Sequence, residues 1–222
     1  MKVGYSMKLV FNPDSTIMVF LSKVADVMIL SVIWAITSIP LFTIGASTTA
    51  LYYVMFKLVD NENVAIVSTY FRAFCREFKQ STCAFMLMLL YAGILVAEYV
   101  FIVMGMDEDA SWLKVLLGVV AVLMAMGSSY IFPYIAKFQD SLKMVFVNSF
   151  YFARKNIIIS ALITLINSIP VWILYFYTPT FVRLTELWIL IGYGLIGAIN
   201  AKLIYVVFKK YIPENDAQME TN

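Results

Sequence analysis

Apolar residues occur in long runs separated by short polar segments, a pattern that predicts membrane-spanning helices. Six runs stand out, at about 17–39, 46–59, 82–106, 112–136, 157–177 and 187–208. Five are long enough to cross the roughly 30 Å hydrocarbon core of a bilayer as helices. The second run is short for a crossing and is also compatible with a re-entrant segment. We therefore predict an all-α membrane protein forming a single domain over residues 1–222, with six transmembrane segments, the second one short.

Local signals place the first helix boundaries. Asn12 suits the N-cap position, Pro13 the first helical position, and Asp14 the positive end of the helix dipole. Pro40 and Gly45 bracket the end of the first run. The first helix is therefore predicted to start near Pro13 and to end near Ile39.

Two stretches between the runs, at about 64–79 and 137–155, have the pattern of amphipathic helices. In the first, apolar side chains recur at helical spacing: Val67, Phe71, Phe74 and Phe78. Basic residues form a separate stripe there and close the second stretch: Arg72, Arg76 and Lys79, then Arg154 and Lys155. Such helices lie on bilayers, with aromatic side chains in lipid and basic side chains towards anionic headgroups. They would either dock a cytoplasmic partner or only brace the bundle.

Basic residues are unevenly distributed about the predicted spans. If the N-terminus is inside and all six segments cross, the outside receives only Lys114 and Arg183. Nearly all other Lys and Arg residues then fall on the cytoplasmic side, and Lys202 remains inside the last span. Because cytoplasmic loops carry the excess of Lys and Arg, we predict cytoplasmic N- and C-termini.

Composition agrees with a membrane protein and narrows the chemistry. The apolar fraction is 62% and the charged fraction 14%, whereas soluble domains are nearer one half and one quarter. The net charge of +2 is too small to indicate nucleic acid as a partner. The absence of histidine excludes His-based triads and HExxH zinc sites. We expect a protein that is not an enzyme and that has no cofactor, metal site or catalytic residue.

One motif is a false match. The glycines of residues 192–197 have the spacing of a dinucleotide-binding loop, GxGxxG, but they lie inside an apolar run without a preceding strand. Gly194 and Gly197 each precede an alanine by four residues, at Ala198 and Ala201. Small residues at that spacing let helices approach closely, so packing is the better interpretation.

Four polar residues lie inside predicted spans and are candidates for an intramembrane site: Glu98, Lys202, Asn167 and Asn200. Ionisable groups at such positions indicate function or else reach the interface along their own apolar stems. Glu98 has apolar neighbours and would need a partner from another span. Tyr177, Arg183 and Tyr193 are the predicted partners of Glu98.

Residues 50–57 and 202–209 resemble each other, with five identical positions that include Phe56/Phe208 and Lys57/Lys209. One interpretation is an internal repeat of helical hairpins. The second is convergence, since any helix running inwards tends to end in aromatic residues and lysine. In both cases the likeness to the sixth run favours the second run as a true span.

Several short motifs resemble the YesL family of bacterial membrane proteins, whose biochemical function is unknown. They are Phe11-Asn12-Pro13-Asp14-Ser15, Lys23-Val24-Ala25-Asp26, Ser38-Ile39-Pro40, the stretch 43–53, and the stretch 74–80. Members are commonly associated with carbohydrate uptake and utilisation genes. The resemblance implies a plasma-membrane accessory role near sugar import, and it supplies no site residues.

Two functions remain open at this stage. The first is a non-enzymatic accessory protein linked to carbohydrate uptake or its regulation, which contacts anionic lipid headgroups and a membrane transporter or sensor. The alternative is a small-solute transporter with a polar path between its spans. An enzyme acting on lipids is a distant third. Polar side chains converging inside the bundle would favour transport, whereas a closed apolar bundle would favour scaffolding.

Overall fold

The computed structural model describes residues 16–62, 64–105, 111–176 and 191–211, and the regular structure in those ranges is helical. The elements are α1 (Thr16–Thr37), a 3-10 turn (Leu41–Thr43), α2 (Ile44–Val59), α3 (Ile66–Gly105), α4 (Ser111–Ser128), α5 (Ile131–Lys137), α6 (Leu142–Lys155), α7 (Ile157–Phe176) and α8 (Tyr193–Lys209). The predicted helix start at Asn12 and Pro13 lies outside the described residues.

Four helical stretches are long and apolar enough to cross a bilayer: Ile17–Thr37, Leu41–Val59, Ile66–Met104 and Trp112–Lys137. A fifth is counted only if α6 and α7, which are bent by 106° relative to each other, are taken as one span. The chain is thus a multi-pass, helical membrane protein, but the structure does not establish six spans. The described part of the last one, α8, has 17 residues, and part of the predicted run 187–208 lies outside the described ranges.

Large apolar side chains are exposed on the outer faces of these helices. Examples are Leu90, Phe101, Val115 and Ile158, each more than 60% exposed. Surfaces of this kind are a liability in water, where patches of a few hundred Å² already mark interaction sites. They suit contact with lipid chains, which agrees with the long apolar runs of the sequence.

The short second helix is the centre of the bundle. α2 packs against α1, α3, α5 and α8, and ten of its residues are buried. Its first turns are made of small residues, Gly45, Ala46 and Ser47, which allow neighbouring backbones to come close. A Cβ atom added at Gly45 would lie 2.4 Å from the carbonyl oxygen of Ser81. The central position of α2 therefore depends on the absence of a side chain at Gly45.

The α1–α2 turn is fixed by hydroxyl groups. Thr43 Oγ1 lies 2.5 Å from the Thr37 carbonyl oxygen and 2.6 Å from that of Pro40, so it can donate to either. Thr37 in turn shares a 2.7 Å hydrogen bond with the Tyr70 hydroxyl of α3. These bonds hold α1, α2 and α3 together at one end of the bundle.

α3 differs from the sequence prediction. The expected amphipathic helix at 64–79 and the expected span at 82–106 are parts of one helix of 40 residues, Ile66–Gly105. No proline or glycine occurs from 66 to 92, so nothing interrupts the backbone hydrogen bonds between the two parts. At 1.5 Å per residue the helix is about 60 Å long, twice the hydrocarbon thickness of a bilayer. One part of α3 must therefore extend beyond the hydrocarbon core.

The first half of α3 is also attached to the bundle and does not lie alone on a surface. Its buried positions are Tyr70, Ala73, Glu77, Ser81 and Ala84. The Thr49 and Ser81 hydroxyl groups are hydrogen-bonded at 2.8 Å. The two predicted segments are therefore one continuous helix, and aromatic spacing gave the periodicity of that helix but not the position of its ends.

The fourth run is interrupted. α4 ends at Ser128 and α5 begins at Ile131, three residues after it, with Pro133 in the first turn of α5. Proline lacks an N–H group, so the carbonyl oxygen of Ser129 loses its usual donor four residues later. The run predicted as one span over 112–136 is thus two helices joined at Ser129 and Tyr130.

α2 and α8, which contain the similar segments 50–57 and 202–209, lie side by side. Gly197 approaches Leu51 near one end, and the rings of Phe56 and Phe208 are 6.1 Å apart near the other. The two helices therefore run parallel. This agrees with their shared direction in the predicted topology.

The buried end of α8 is an aromatic cluster around Phe208, which is 1% exposed. Its ring has five aromatic neighbours with centroids within 6.5 Å: Phe56, Tyr130, Tyr134, Phe138 and Phe152. These residues come from α2, α5, α6 and the segments on either side of α5. The cluster therefore joins the two halves of the chain.

Candidate functional site

A cavity of about 370 Å³, which we call the polar cavity, lies among α2, α3, α4, α5 and α7. Seven of its lining residues carry a hydroxyl or amide group, and none is charged: Thr48, Tyr52, Ser128, Ser129, Thr164, Asn167 and Ser168. The other three are Met88, Ala125 and Phe132. Polar side chains thus face a partly open cavity, in which Tyr52 is buried, Asn167 is exposed and the other polar residues are half-buried.

Helical spacing places these groups on facing surfaces. Thr164, Asn167 and Ser168 are three and four residues apart, which aligns them along one face of α7. Thr48 and Tyr52 are one turn apart on α2. The serines of the third wall belong to the α4–α5 junction, where the backbone is already irregular.

Four hydroxyl groups of the cavity donate to their own helices or to the adjoining turn. Thr164 donates to the Ser160 carbonyl oxygen at 2.8 Å, and Ser168 to that of Leu165 at 2.8 Å. Ser128 and Ser129 both donate to the Ala125 carbonyl oxygen, at 3.0 and 2.8 Å. Because a carbonyl oxygen can only accept, the hydroxyl hydrogens are used and the oxygen lone pairs remain.

Asn167 connects the polar cavity to a buried amide of α8. Asn200 is fully buried, and its Nδ2 donates to Asn167 Oδ1 at 2.7 Å. The Oδ1 atom of Asn200 has no hydrogen-bond partner within the described part of the chain. A buried acceptor without a donor is unfavourable, so this oxygen is available to accept a hydrogen bond from a group outside the described side chains.

Thr48 links the polar cavity to α1. Trp34 Nε1 donates to Thr48 Oγ1 at 3.2 Å, and the Trp34 ring stacks on Tyr193 with centroids 4.2 Å apart. Because its oxygen accepts from the indole, the Thr48 hydroxyl keeps its own hydrogen for donation. Thr48 is therefore the exception among the aliphatic hydroxyl groups of the cavity.

The structure separates the four intramembrane candidates. Asn167 and Asn200 meet, whereas Glu98 and Lys202 are exposed and form no hydrogen bond or ion pair with other described residues. Glu98 lines a second groove, of about 510 Å³, between α3 and α4, where all other lining residues except Tyr91 are apolar. Tyr193, one predicted partner, stacks on Trp34 instead, and the other two, Tyr177 and Arg183, lie outside the described residues.

The basic candidates also divide into two groups. Arg76 is engaged, because Nε lies 2.5 Å from Glu77 Oε1 and the guanidinium lies 4.8 Å from the Tyr53 ring centroid. Arg72, Lys79, Arg154 and Lys155 are exposed or half-buried, and in the described ranges none of them makes a side-chain hydrogen bond or ion pair. Of the five basic candidates, these four present unpaired positive charge at the surface.

No metal-ligating cluster of three or more His, Cys, Asp or Glu residues occurs within the described residues. The chemistry of the polar cavity is therefore that of neutral hydrogen-bonding groups and two aromatic rings, those of Tyr52 and Phe132.

Residues 27–99 match the model of a family described as "Protein of unknown function, DUF624". The match covers about a third of the chain, from within α1 to within α3. No curated protein and no solved structure matches. The matched stretch contains the α2 and α3 walls of the polar cavity, and the other walls lie beyond it.

Sequence reasoning found Asn167 and Asn200 but missed the hydroxyl groups around them. Single Ser and Thr residues are common in membrane helices and carry little information alone. The usable signal was the set Thr164, Asn167 and Ser168, a polar stripe on one face of an otherwise apolar run. Nothing in the sequence showed that α2 and the α4–α5 junction would face that stripe.

Proposed function

We propose that this protein is a non-enzymatic membrane transporter for a small uncharged polar solute. The polar cavity carries the proposal, because polar side chains from several helices converge on it, which favours transport over a closed apolar scaffold. Its volume of about 370 Å³ lies within the range of small-molecule sites. The sequence alone ranked an accessory role first, and the cavity reverses that order.

The uncharged lining defines the solute. A charged ligand transferred from water into a site without a counter-charge loses more solvation than neutral dipoles return. A neutral solute with polar groups matches the hydroxyl and amide groups of the cavity. The interrupted α4–α5 run and Pro170 inside α7 support transport further, because broken helices commonly line substrate sites in transporters.

The test is uptake into proteoliposomes. We expect the purified full-length protein to accelerate entry of at least one solute from a panel of radiolabelled mannitol, glucose, urea and N-methylacetamide. Gluconate and choline should not enter faster than into protein-free liposomes. Equal rates with and without protein for the whole panel would refute the transport role.

A variant of Glu98 distinguishes transport through the uncharged polar cavity from transport that depends on an intramembrane carboxylate. Glu98 lies in the apolar groove between α3 and α4, away from the polar cavity. We therefore expect Glu98→Gln to insert normally and to keep the uptake rate of the unmodified protein. A loss of uptake with normal insertion, as judged by size-exclusion chromatography, would show that transport uses this carboxylate.

The second candidate is an accessory role linked to carbohydrate uptake in the bacterial plasma membrane, as the resemblance to the YesL family implies. The surface cations Arg72, Lys79, Arg154 and Lys155 support it, because such side chains can contact anionic headgroups or a transporter or sensor. The test is co-purification from membranes in mild detergent. Recovery of a transporter component with the unmodified chain, but not with a variant in which these four residues are replaced by glutamine, would favour this role.

The proposed topology has six spans and cytoplasmic termini. Reporter fusions after Asp60 and after Asp109 should then report inside and outside, respectively. The parallel arrangement of α2 and α8 means that Asp60 and the end of α8 lie on the same side, as this topology requires. An outside signal after Asp60 would contradict both the crossing of α2 and the orientation.

A further inference from the structure

The hydrogen-bond balance of the polar cavity is uneven. Four hydroxyl groups, those of Ser128, Ser129, Thr164 and Ser168, already donate their hydrogens to backbone carbonyl oxygens. A ligand therefore meets them as acceptors.

Two further oxygen atoms that lack a donor belong to the cavity residue Ser129 and to Asn200, which neighbours the cavity residue Asn167. The carbonyl oxygen of Ser129 lacks its usual donor because residue 133 is proline. Asn200 Oδ1 is buried without a partner among the described residues, and the same side chain is bonded to the cavity residue Asn167. The available donors are few: the hydroxyl hydrogens of Thr48 and Tyr52 and the Asn167 amide.

From this balance we infer that the polar cavity selects an uncharged solute that presents several hydrogen-bond donors, such as the hydroxyl groups of a polyol. The inference rests on the proposed solute-binding role and specifies its chemistry. A solute with acceptors alone would find only these few donors, so most of its oxygen atoms would lose their bonds to water without replacement. A donor-rich solute satisfies the free oxygens of the cavity and has little need of donors from the protein.

A matched pair of probes tests the selection of donors. Mannitol and per-O-methylerythritol have the same number of non-hydrogen atoms and no charge, but the ether has no donor. Binding to the full-length protein in detergent is measured as the ligand-induced shift in thermal unfolding. We expect mannitol to stabilise the protein and the ether to have no effect. If the ether binds as tightly as mannitol, the inference is wrong while solute binding stands.

A matched pair of variants locates the effect. Ser168→Ala removes a hydroxyl acceptor from the cavity. Ser68→Ala is the control: the Ser68 hydroxyl also donates to the carbonyl oxygen three residues earlier, at 3.1 Å, but Ser68 lies outside the cavity. We expect Ser168→Ala to weaken mannitol binding by about fivefold, since one hydrogen bond is worth about 1 kcal/mol, and Ser68→Ala to leave it unchanged. Equal affinities for both variants would overturn the assignment to this cavity.

The solutes of the uptake experiment distinguish a failure of donor selection from a failure of the proposed transport function. Binding or uptake of N-methylacetamide or another weak donor, without binding of mannitol, would overturn donor selection and leave solute transport intact. No binding and no uptake of any member would remove the proposed function together with the inference.

Discussion

Gly45→Ala is expected to destabilise the protein by about 3 kcal/mol, near the upper end of the usual cost of overpacking a core. The added Cβ would lie 2.4 Å from the Ser81 carbonyl oxygen and 2.8 Å from Phe85 Cβ. Neither atom can move without displacing the backbone of α3. The free energy of unfolding can be compared in one detergent by chemical denaturation, and the decrease should appear there.

Gly93→Ala is the matched control for this change. It lies on α3, the helix that Gly45 contacts, but a Cβ atom there would have no other atom within 4 Å. It should therefore be neutral or slightly stabilising, because alanine favours a helix more than glycine does. A Gly45→Ala protein as stable as the Gly93→Ala protein would mean that α2 and α3 are not in backbone contact.

Phe208→Ala is expected to cost about 3–5 kcal/mol, the usual range for emptying a buried aromatic site. Its ring lies among five others, with centroid distances from 5.2 to 6.5 Å, and these rings cannot collapse onto one another because they come from different parts of the chain. The measurement is again the free energy of unfolding in detergent.

Val206→Ala is the control for Phe208→Ala, since Val206 is on the same helix but 54% exposed. It should change stability little. Phe208→Leu, which keeps most of the apolar volume, should recover part of the loss. If Phe208→Ala unfolds at the same denaturant concentration as Val206→Ala, the cluster does not join the halves of the chain as the structure shows.

The membrane class and most helix positions could be predicted from the sequence because long apolar runs seldom occur outside membrane helices. The position of α2 could not. Its shortness left a re-entrant segment open beside the predicted span, and nothing in the sequence showed that Gly45, Ala46 and Ser47 make it the helix against which others pack. The continuity of α3 was not predicted either, because polar residues such as Lys79 and Gln80 resemble a boundary although no helix-breaking residue occurs there.

The two asparagines of the candidate site could be predicted from the sequence, but the hydroxyl groups around them could not. Asn167 and Asn200 are conspicuous in apolar runs, and the structure brings them together at 2.7 Å. Glu98 and Lys202 are equally conspicuous but are exposed and unpaired among the described residues, because a long side chain on an outer face can reach a polar environment by itself. The hydroxyl groups that line the cavity come together only because particular helices face each other, and a single sequence does not show which helices do so.

The unbroken length of α3 has a mechanical consequence. Met88 lines the polar cavity, while Arg72, sixteen residues earlier on the same helix, is at the exposed surface. A straight helix tilts as a rod, and at 1.5 Å per residue these two positions are about 24 Å apart. A tilt of about 10° around Met88 would therefore displace Arg72 by about 4 Å. Any tilt of α3 at the cavity would therefore be shared by the segment that carries Arg72, because no proline or glycine lies between the two positions.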